Sequence, residues 1–262
     1  MSDQTTYIHG TEPSEQARLA ALNRMTNESF VEWLHVRSGM DVLDVGSGLG
    51  LLASEIASAA EGVHVVGVEL SAAQIEAAVK RPDLRYVQGD AHRLEFEDGR
   101  FDLVYARYLL EHVADPVAVI REMRRVTRKG GRVAACENDV TLLRVDPPCP
   151  AFEAVWQAFQ RYQLNLGGDS GIGRRLYRLF RQAGFSTIEL SVQPEAHWHG
   201  SAGFSGWIAN LIGNIESARR GLVDSGLCDR AKVDEARDEL TALAKNPDGS
   251  SHFMWNRAIA VR

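Results

Sequence analysis

Cysteine is scarce: Cys136, Cys149 and Cys228 are the three in 262 residues. They are odd in number and scattered, which excludes a disulfide framework and a cysteine metal site and points to a reducing, cytoplasmic setting. No apolar run approaches the roughly 18 residues that a membrane span needs, so no membrane role is expected. The opening Met1-Ser2-Asp3-Gln4 is polar and lacks an apolar signal core. Positive charge is not in excess, because 29 Lys and Arg face 35 Asp and Glu for a net charge of −6. With no basic run, duplex nucleic acid is not an expected partner. Internal repeats and low-complexity tracts are missing too. What remains is 45% hydrophobic and 24% charged, ordinary for a globular chain of one large domain or one domain with a cap.

Apolar periodicity then places the elements. A long amphipathic helix is expected from residue 12 to about 35, with Leu19, Leu22, Met25, Phe30, Trp33 and Leu34 on its buried side. Pro13 sits in its first turn, where a missing N–H costs little. Strands are expected at 41–45, 63–69, 85–88, 101–106 and 132–136. Helices are expected between them at 50–60, at 72–80 behind a Ser71 cap, and from Pro116 to about Lys129-Gly130-Gly131. Such alternation calls for a parallel sheet with helices on both faces. The rhythm changes after Glu137, and Asp146-Pro147-Pro148-Cys149-Pro150 reads as a breaker. Helices follow at about 151–165, 173–183, 203–222 and 229–245, with strands at about 185–192 and 252–261. That makes seven strands, with 146–170 and 195–245 as insertions over the sheet's carboxyl edge.

The most informative run is Val42-Leu43-Asp44-Val45-Gly46-Ser47-Gly48-Leu49-Gly50. A buried strand, a tight turn and a helix start stand end to end. Glycines tolerate positive φ and let a ligand approach bare backbone, while the helix start offers free N–H donors. A dinucleotide turn reads G-x-G-x-x-G, whereas Gly46, Gly48 and Gly50 read G-x-G-x-G, which disfavours a nicotinamide oxidoreductase. Three acids surround the turn: Asp44 before it, Glu69 at the end of the second strand where a ribose diol is gripped, and Asp90 after the third. Acids there favour an adenosine carrying positive charge over one carrying phosphates.

With Val65 to Leu70, Gly89-Asp90-Ala91, Phe101-Asp102-Leu103-Val104 and Leu110-Glu111-His112-Val113-Ala114-Asp115-Pro116, this run resembles the class I S-adenosylmethionine-dependent methyltransferases. Lys129-Gly130-Gly131-Arg132-Val133 fits the family's turn into strand five, with Lys where proline is common. The match is good over residues 38–137. Tyr7-Ile8-His9-Gly10-Thr11 with Glu15-Gln16-Ala17-Arg18-Leu19 resembles, less specifically, a lid of members acting on small molecules. The resemblance implies a Rossmann-like doubly wound sheet, mostly parallel with an antiparallel last strand, plus helical cap insertions. Within a single 1–262 methyltransferase domain, 1–37 would be the lid, 38–145 the cofactor core, 146–251 the cap insertions with a sheet strand, and 252–262 the last strand.

It also implies S-adenosylmethionine as cofactor. Gly46, Ser47 and Gly48 would pass the methionine part, Asp44 would lie near its amino group, and Tyr7 would add a lid contact. Glu69 would bind both ribose hydroxyls, Leu70 would lie beside the adenine, and Asp90 with the Ala91 backbone would read its edge. Arg107 would sit near the sulfonium, and Gln74 would add a contact. No metal is expected, although Asn138 and Asp139 follow strand five, where some members place metal-binding acids.

Methyl transfer asks the protein mainly to position and desolvate, with a base where the acceptor must lose a proton. The candidates are His9, His197 and His199, with Tyr108 and Tyr7 as hydrogen-bonding partners. His112 lies in the family's Leu-Glu-His-Val pattern and reads as structural, and His197-Trp198-His199 has a polar loop as its plain alternative. The cap holds Phe152, Trp156, Phe159, Tyr162, Trp198, Phe204 and Trp207, suited to core packing and to walling a hydrophobic pocket alike. A small aromatic or hydrophobic metabolite is the expected acceptor, at O, N or C. The alternative is a relative that binds the same cofactor but catalyses a different reaction, such as a cyclisation. A homodimer stays open.

Overall fold

The computed structural model describes the backbone from residue 13 and side chains from residue 18, through Arg262. The helices are α1 Pro13–Leu34, α2 Leu51–Ala57, α3 Ala72–Ala77, α4 Pro116–Val126, α5 Pro150–Asn165, α6 Leu176–Gln182, α7 Phe204–Asp224 and α8 Arg230–Leu243. The strands are β1 Asp41–Val45, β2 His64–Glu69, β3 Leu84–Gln88, β4 Phe101–Arg107, β5 Thr127–Glu137, β6 Arg144–Asp146, β7 Ile188–Trp198 and β8 Ser250–Val261. Among the described residues these eight strands make one sheet, ordered β3-β2-β1-β4-β5-β8-β6, with β7 also paired to β8. The pairs among β1 to β5 are parallel, and β8 runs antiparallel to β5 and β6. The doubly wound α/β sheet expected from the alternation is therefore present, with its last strand reversed.

The chain divides into two compact units. One holds Thr26–Asn138, Ile172–Gln193 and Asn256–Arg262, and so the sheet from β3 to β5 with the end of β8. Its centre is β1, registered between β2 and β4. One sheet face presents Leu43, Val45, Val104, Ala106, Val133 and Ala135 to Val119, Ile120 and Met123 of α4 and to Leu176, Leu179 and Phe180 of α6. All of these are buried, each contributing about 1.5–3 kcal/mol where a large side chain leaves water. The end of α1 covers the other face, where Phe30 meets Tyr105 edge-on at 5.8 Å. Caps follow from sequence: Asp115 accepts from Ala118 N and Ser71 from Gln74 N.

The second unit holds α1 through Met25, Asp139–Gly171 and Pro194–Trp255. Helices α5, α7 and α8 pack on one another there. Helix α8 turns Val233, Ala236, Leu240 and Leu243 inward at helical spacing. Glu239 of α8 accepts from Phe152 N, satisfying a free donor at the start of α5.

Several element ends differ from expectation, among them α3, which stops at Ala77, and β5, which starts at Thr127; three differences have a clear local cause. Helix α4 stops at Val126 because Thr127 turns extended, pairs with Phe101, and bonds back through its hydroxyl to Met123 O. The strand expected at 185–192 begins at Ile188, since Phe185 packs on Phe180 in the core, and runs on to Trp198. Strand β6, an eighth, lies in the stretch entering the breaker. Three residues are too short for period-two patterning to reveal, and pairing with β8 creates the strand.

Candidate active site

The glycine turn is tied to β2 before any ligand enters. Gly46 N and Ser47 N both donate to Val68 O, at 2.8 and 3.0 Å. Gly50 has φ +68°, and a Cβ there would fall 1.7 Å from the Tyr86 hydroxyl, itself bonded to Val79 O. Substituting Gly50→Ala thus combines left-handed strain with a clash, and the melting temperature is expected to fall by about 5 °C or more. A thermal melt checks this, and an unchanged midpoint would show that Tyr86 moves freely. Leu109 closes the other side, because a Cβ on Gly46 would lie 2.9 Å from its Cδ1. Gln74 Oε1 borders Gly48, 3.2 Å from where a Cβ would stand.

Glu69 ends β2 and joins two features. Its Oε2 accepts from Gly48 N at 3.0 Å and its Oε1 from Ser71 N at 2.9 Å, so one carboxylate holds both the turn and the start of α3. Leu70, between them, leaves 60% of its surface in solvent. Such a bare apolar side chain beside a fixed carboxylate is what a flat heterocycle above a ribose would cover. Asp90 follows β3, with Gly89 N bonded to Glu69 O. Its Oδ1 accepts from His92 N at 2.9 Å and faces His92 Nδ1 at 2.7 Å, and the His92 backbone N–H leads the causes that lower its pKa. Asp90 thus caps a turn through one oxygen. Ala91 packs against the core beside it.

Asp44 is the most perturbed acid of the group. Burial pushes its pKa from 3.8 to about 7, the Tyr105 hydroxyl and the Arg107 charge oppose this, and Glu69 adds to it. Tyr105 is opposite Asp44 in the β1–β4 register, and Arg107 lies two residues on, on the same face. A buried carboxyl held half-neutral gains most from a cation brought to it, as an amino group would be. The residues therefore fit a cationic adenosine at both ends: carboxyl and glycine turn for the amino acid part, Glu69 and Leu70 for the nucleoside.

Arg107, at the end of β4, is tied to α1. Its Nη2 donates to Asn27 Oδ1 at 2.5 Å and its Nη1 to Thr26 Oγ1 at 3.4 Å, so α1 holds the guanidinium. The rings of Phe30 and Tyr108 lie 5.2 and 5.0 Å from it. Asn27 Nδ2 continues the chain to Glu55 Oε1 at 2.6 Å. Tyr108 has φ +55° and its N–H bonds to Cys136 O. Sequence reasoning missed Thr26, Asn27 and Tyr105; the period-two phase of β4 was the signal that placed Tyr105 beside Asp44.

A second acid pair also went unread. Glu137, buried at the end of β5, accepts from Leu109 N and Leu110 N through Oε1 at 3.1 and 2.9 Å. Burial and the charge of Glu111 push its pKa up to about 8, against the pull of backbone N–H groups. Glu111 Oε1 accepts from Asn138 Nδ2 at 2.5 Å and lies 3.7 Å from His112 Nε2. The pair anchors the loop that carries Leu109 onto the glycine turn, consistent with His112 as a structural residue.

The remaining candidates stand elsewhere. Tyr7 and His9 lie outside the described residues. His197 and His199 belong to the second unit. His197 is a β7 residue, not a loop one; its ring stacks on Trp207 at 5.1 Å and its Nε2 lies 3.2 Å from Glu195 Oε2. Glu195 Oε1 accepts from Trp255 Nε1, so His197 sits within a packed, satisfied cluster. His199 is exposed beside Phe204. Asp139 spends Oδ1 on Thr141 N and Oγ1. Among the described residues no three His, Cys, Asp or Glu side chains gather as a metal group, and no helix is long and apolar enough to cross a membrane. Phe152 and Trp156 line a groove of about 400 Å³ in the second unit with Thr141, Leu143, Arg144 and Gln160.

Comparison with known proteins points to one family. Residues 43–135 match the family model described as a methyltransferase domain. A demethylmenaquinone methyltransferase of Beutenbergia cavernae is 38% identical over 136 residues, covering 52% of this chain and 53% of that protein. The O-methyltransferase rstn1 of Aspergillus nomiae is 32% identical over 178 residues, covering 65% of this chain and 75% of that protein. This chain thus spans about half the length of the first and three quarters of the second. Phosphoethanolamine N-methyltransferase 2 of Haemonchus contortus, solved with S-adenosylhomocysteine, shares the fold with a TM-score of 0.55 and 20% identity. That match covers 94% of this chain and 52% of that one.

Proposed function

This chain belongs to the class I S-adenosylmethionine-dependent methyltransferases, and we propose that it transfers a methyl group to O, N or C of a small aromatic or hydrophobic metabolite. The observation that carries the reading is the Asp44–Glu69 frame around the glycine turn: a buried carboxyl awaiting a cation, and a fixed carboxylate beside an exposed apolar wall. S-adenosylmethionine, the family's cofactor, supplies when bound a methyl group already activated on a sulfonium.

The chain's residues do the rest. Asp44 holds the amino group, with Tyr105 beside it on the neighbouring strand. The backbone at Gly46, Ser47 and Gly48 lies against the methionine part. Glu69 takes the two ribose hydroxyls, Leu70 covers one face of the adenine, and Asp90 with the Ala91 N–H reads its edge. Arg107 and Tyr108, braced by α1, border the reacting end. Gln74 of α3, whose Oε1 borders Gly48, adds a contact to the ligand. Oxygen as the acceptor atom draws support from the Aspergillus relative's name, and a flat aromatic acceptor from the quinone named for the bacterial one.

Incubation with methyl-labelled S-adenosylmethionine and fractionated metabolites tests this. Label is expected in an organic-extractable product, with one S-adenosylhomocysteine formed per methyl moved. A product formed without label would favour a cyclase-type reaction, and binding of NAD in place of S-adenosylmethionine would overturn the cofactor assignment.

A further inference from the structure

Arg257 on β8 is a buried cation whose charge is not matched. It stands opposite Cys136 of β5, which stands opposite Arg107 of β4, so the three side chains share the sheet face that α1 covers. At about 4.8 Å per strand, the two arginine backbones are roughly 10 Å apart. Both guanidinium groups converge on Phe30, 5.2 Å from its ring centre for Arg107 and 6.0 Å for Arg257. Arg257 also lies 5.3 Å from the Trp33 ring, and its Nη2 donates to Ser29 Oγ at 3.0 Å.

The side chain is 6% exposed and its Nε is buried without an acceptor. Among the described residues no carboxylate lies within ion-pair distance of it. Two aromatic faces and one hydroxyl compensate only part of the cost of burying a charge. Nearby groups do not supply the anion. The Cys136 thiol is pushed up to about 12 by burial and stays neutral. Glu137, next along β5, alternates to the opposite sheet face and accepts from the Leu109 and Leu110 N–H groups.

We propose that Arg257, with Arg107 beside it, anchors an anionic oxygen of the methyl acceptor at the ends of β4 and β5. The proposal rests on the methyltransferase reading and narrows its substrate class to acids. The oxygen is that of a carboxylate on the acceptor or of an acidic phenol or enol that is itself methylated. The second source would also remove the need for a histidine base, because the acceptor arrives ionised.

The test is calorimetry on the full chain saturated with S-adenosylhomocysteine, whose own binding is measured first. Two probe pairs are titrated at pH 8.5: 2-naphthoate against 2-naphthamide, and 4-nitrophenolate against 4-nitroanisole. The anion of at least one pair is expected to bind tenfold or more tighter than its neutral partner. Preference in the first pair identifies a carboxylate handle, and preference in the second alone identifies the ionised hydroxyl. Arg257→Met is expected to erase the preference while changing S-adenosylhomocysteine affinity less than twofold, and 0.5 M salt should weaken it in the unmodified chain. If Arg257→Met does not fold, the comparison of probe pairs in the unmodified chain still decides. Normal S-adenosylhomocysteine binding with no preference in either pair, or a preference that survives Arg257→Met, overturns the anchor alone. Failure to bind S-adenosylhomocysteine overturns the reading beneath it.

Discussion

Replacing Glu69 with alanine is expected to weaken S-adenosylhomocysteine binding by about 100-fold or more. Two hydrogen bonds from ribose hydroxyls to a carboxylate are worth roughly 1.5–3 kcal/mol each, or about 3–6 kcal/mol together. The same substitution also releases Gly48 N and Ser71 N, so the turn loses a brace and the melting temperature falls. The two effects separate cleanly. Were Glu69 only a brace for the glycine turn and the cap of α3, the melt would fall while the dissociation constant stayed within a few-fold. Calorimetry with adenosine alone sharpens the result, since adenosine keeps the ribose contacts and lacks the amino acid that Asp44 would hold.

Asp44 carries the other large effect, and it runs in opposite directions for stability and for binding. Its folded pKa of about 7 lies above the ordinary 3.8 because burial disfavours the charge. The unfolded chain therefore releases this proton first. The stability intact below about pH 4 is lost progressively as pH rises through about 7. A shift of roughly three units corresponds to about 4 kcal/mol by pH 8. Asp44→Asn removes the charge, so this variant without cofactor is expected to melt about 5 °C or more above the unmodified chain at pH 8, and close to it at pH 4. Binding moves the other way. An amino group needs the carboxylate, so affinity for S-adenosylhomocysteine should climb between pH 5.5 and 7 with release of up to one proton, and level off above. In Asp44→Asn the climb and the affinity should both be lost. A variant that is no more stable at pH 8 would refute the burial penalty. Retained affinity with the same pH slope would remove Asp44 from the site.

Most of the cofactor frame was legible because it is local. Strand one, its turn and the helix after it follow one another in the chain, and glycine spacing with neighbouring acids reports their ligand without knowledge of distant partners. Glu69 and Asp90 are similarly fixed by their place at strand ends, since every parallel strand delivers its last residue to the same edge of the sheet. Asp90 shows the limit of that logic: position brought it to the edge, yet a His92 N–H two residues away occupies one of its oxygens.

What escaped the sequence is what depends on register between distant segments. The sequence places Arg107 just past strand four, near the expected sulfonium; only folding sets it against Thr26 and Asn27 of α1. Arg257 looks like one charge in a closing strand, until antiparallel pairing puts it opposite Cys136 and against Phe30. Glu111 and Glu137 become a coupled pair because a loop after β4 folds back on the end of β5. His197 reads as a base candidate, and only folding stacks its ring on Trp207 and sets its Nε2 beside Glu195. By itself the sequence determined the sheet, the turn and the acids that flank it, since periodicity and glycine conformation act over a few residues. The tertiary structure alone decided the charge states and partners, because burial and pairing distance are properties of neighbours that the chain brings together only on folding.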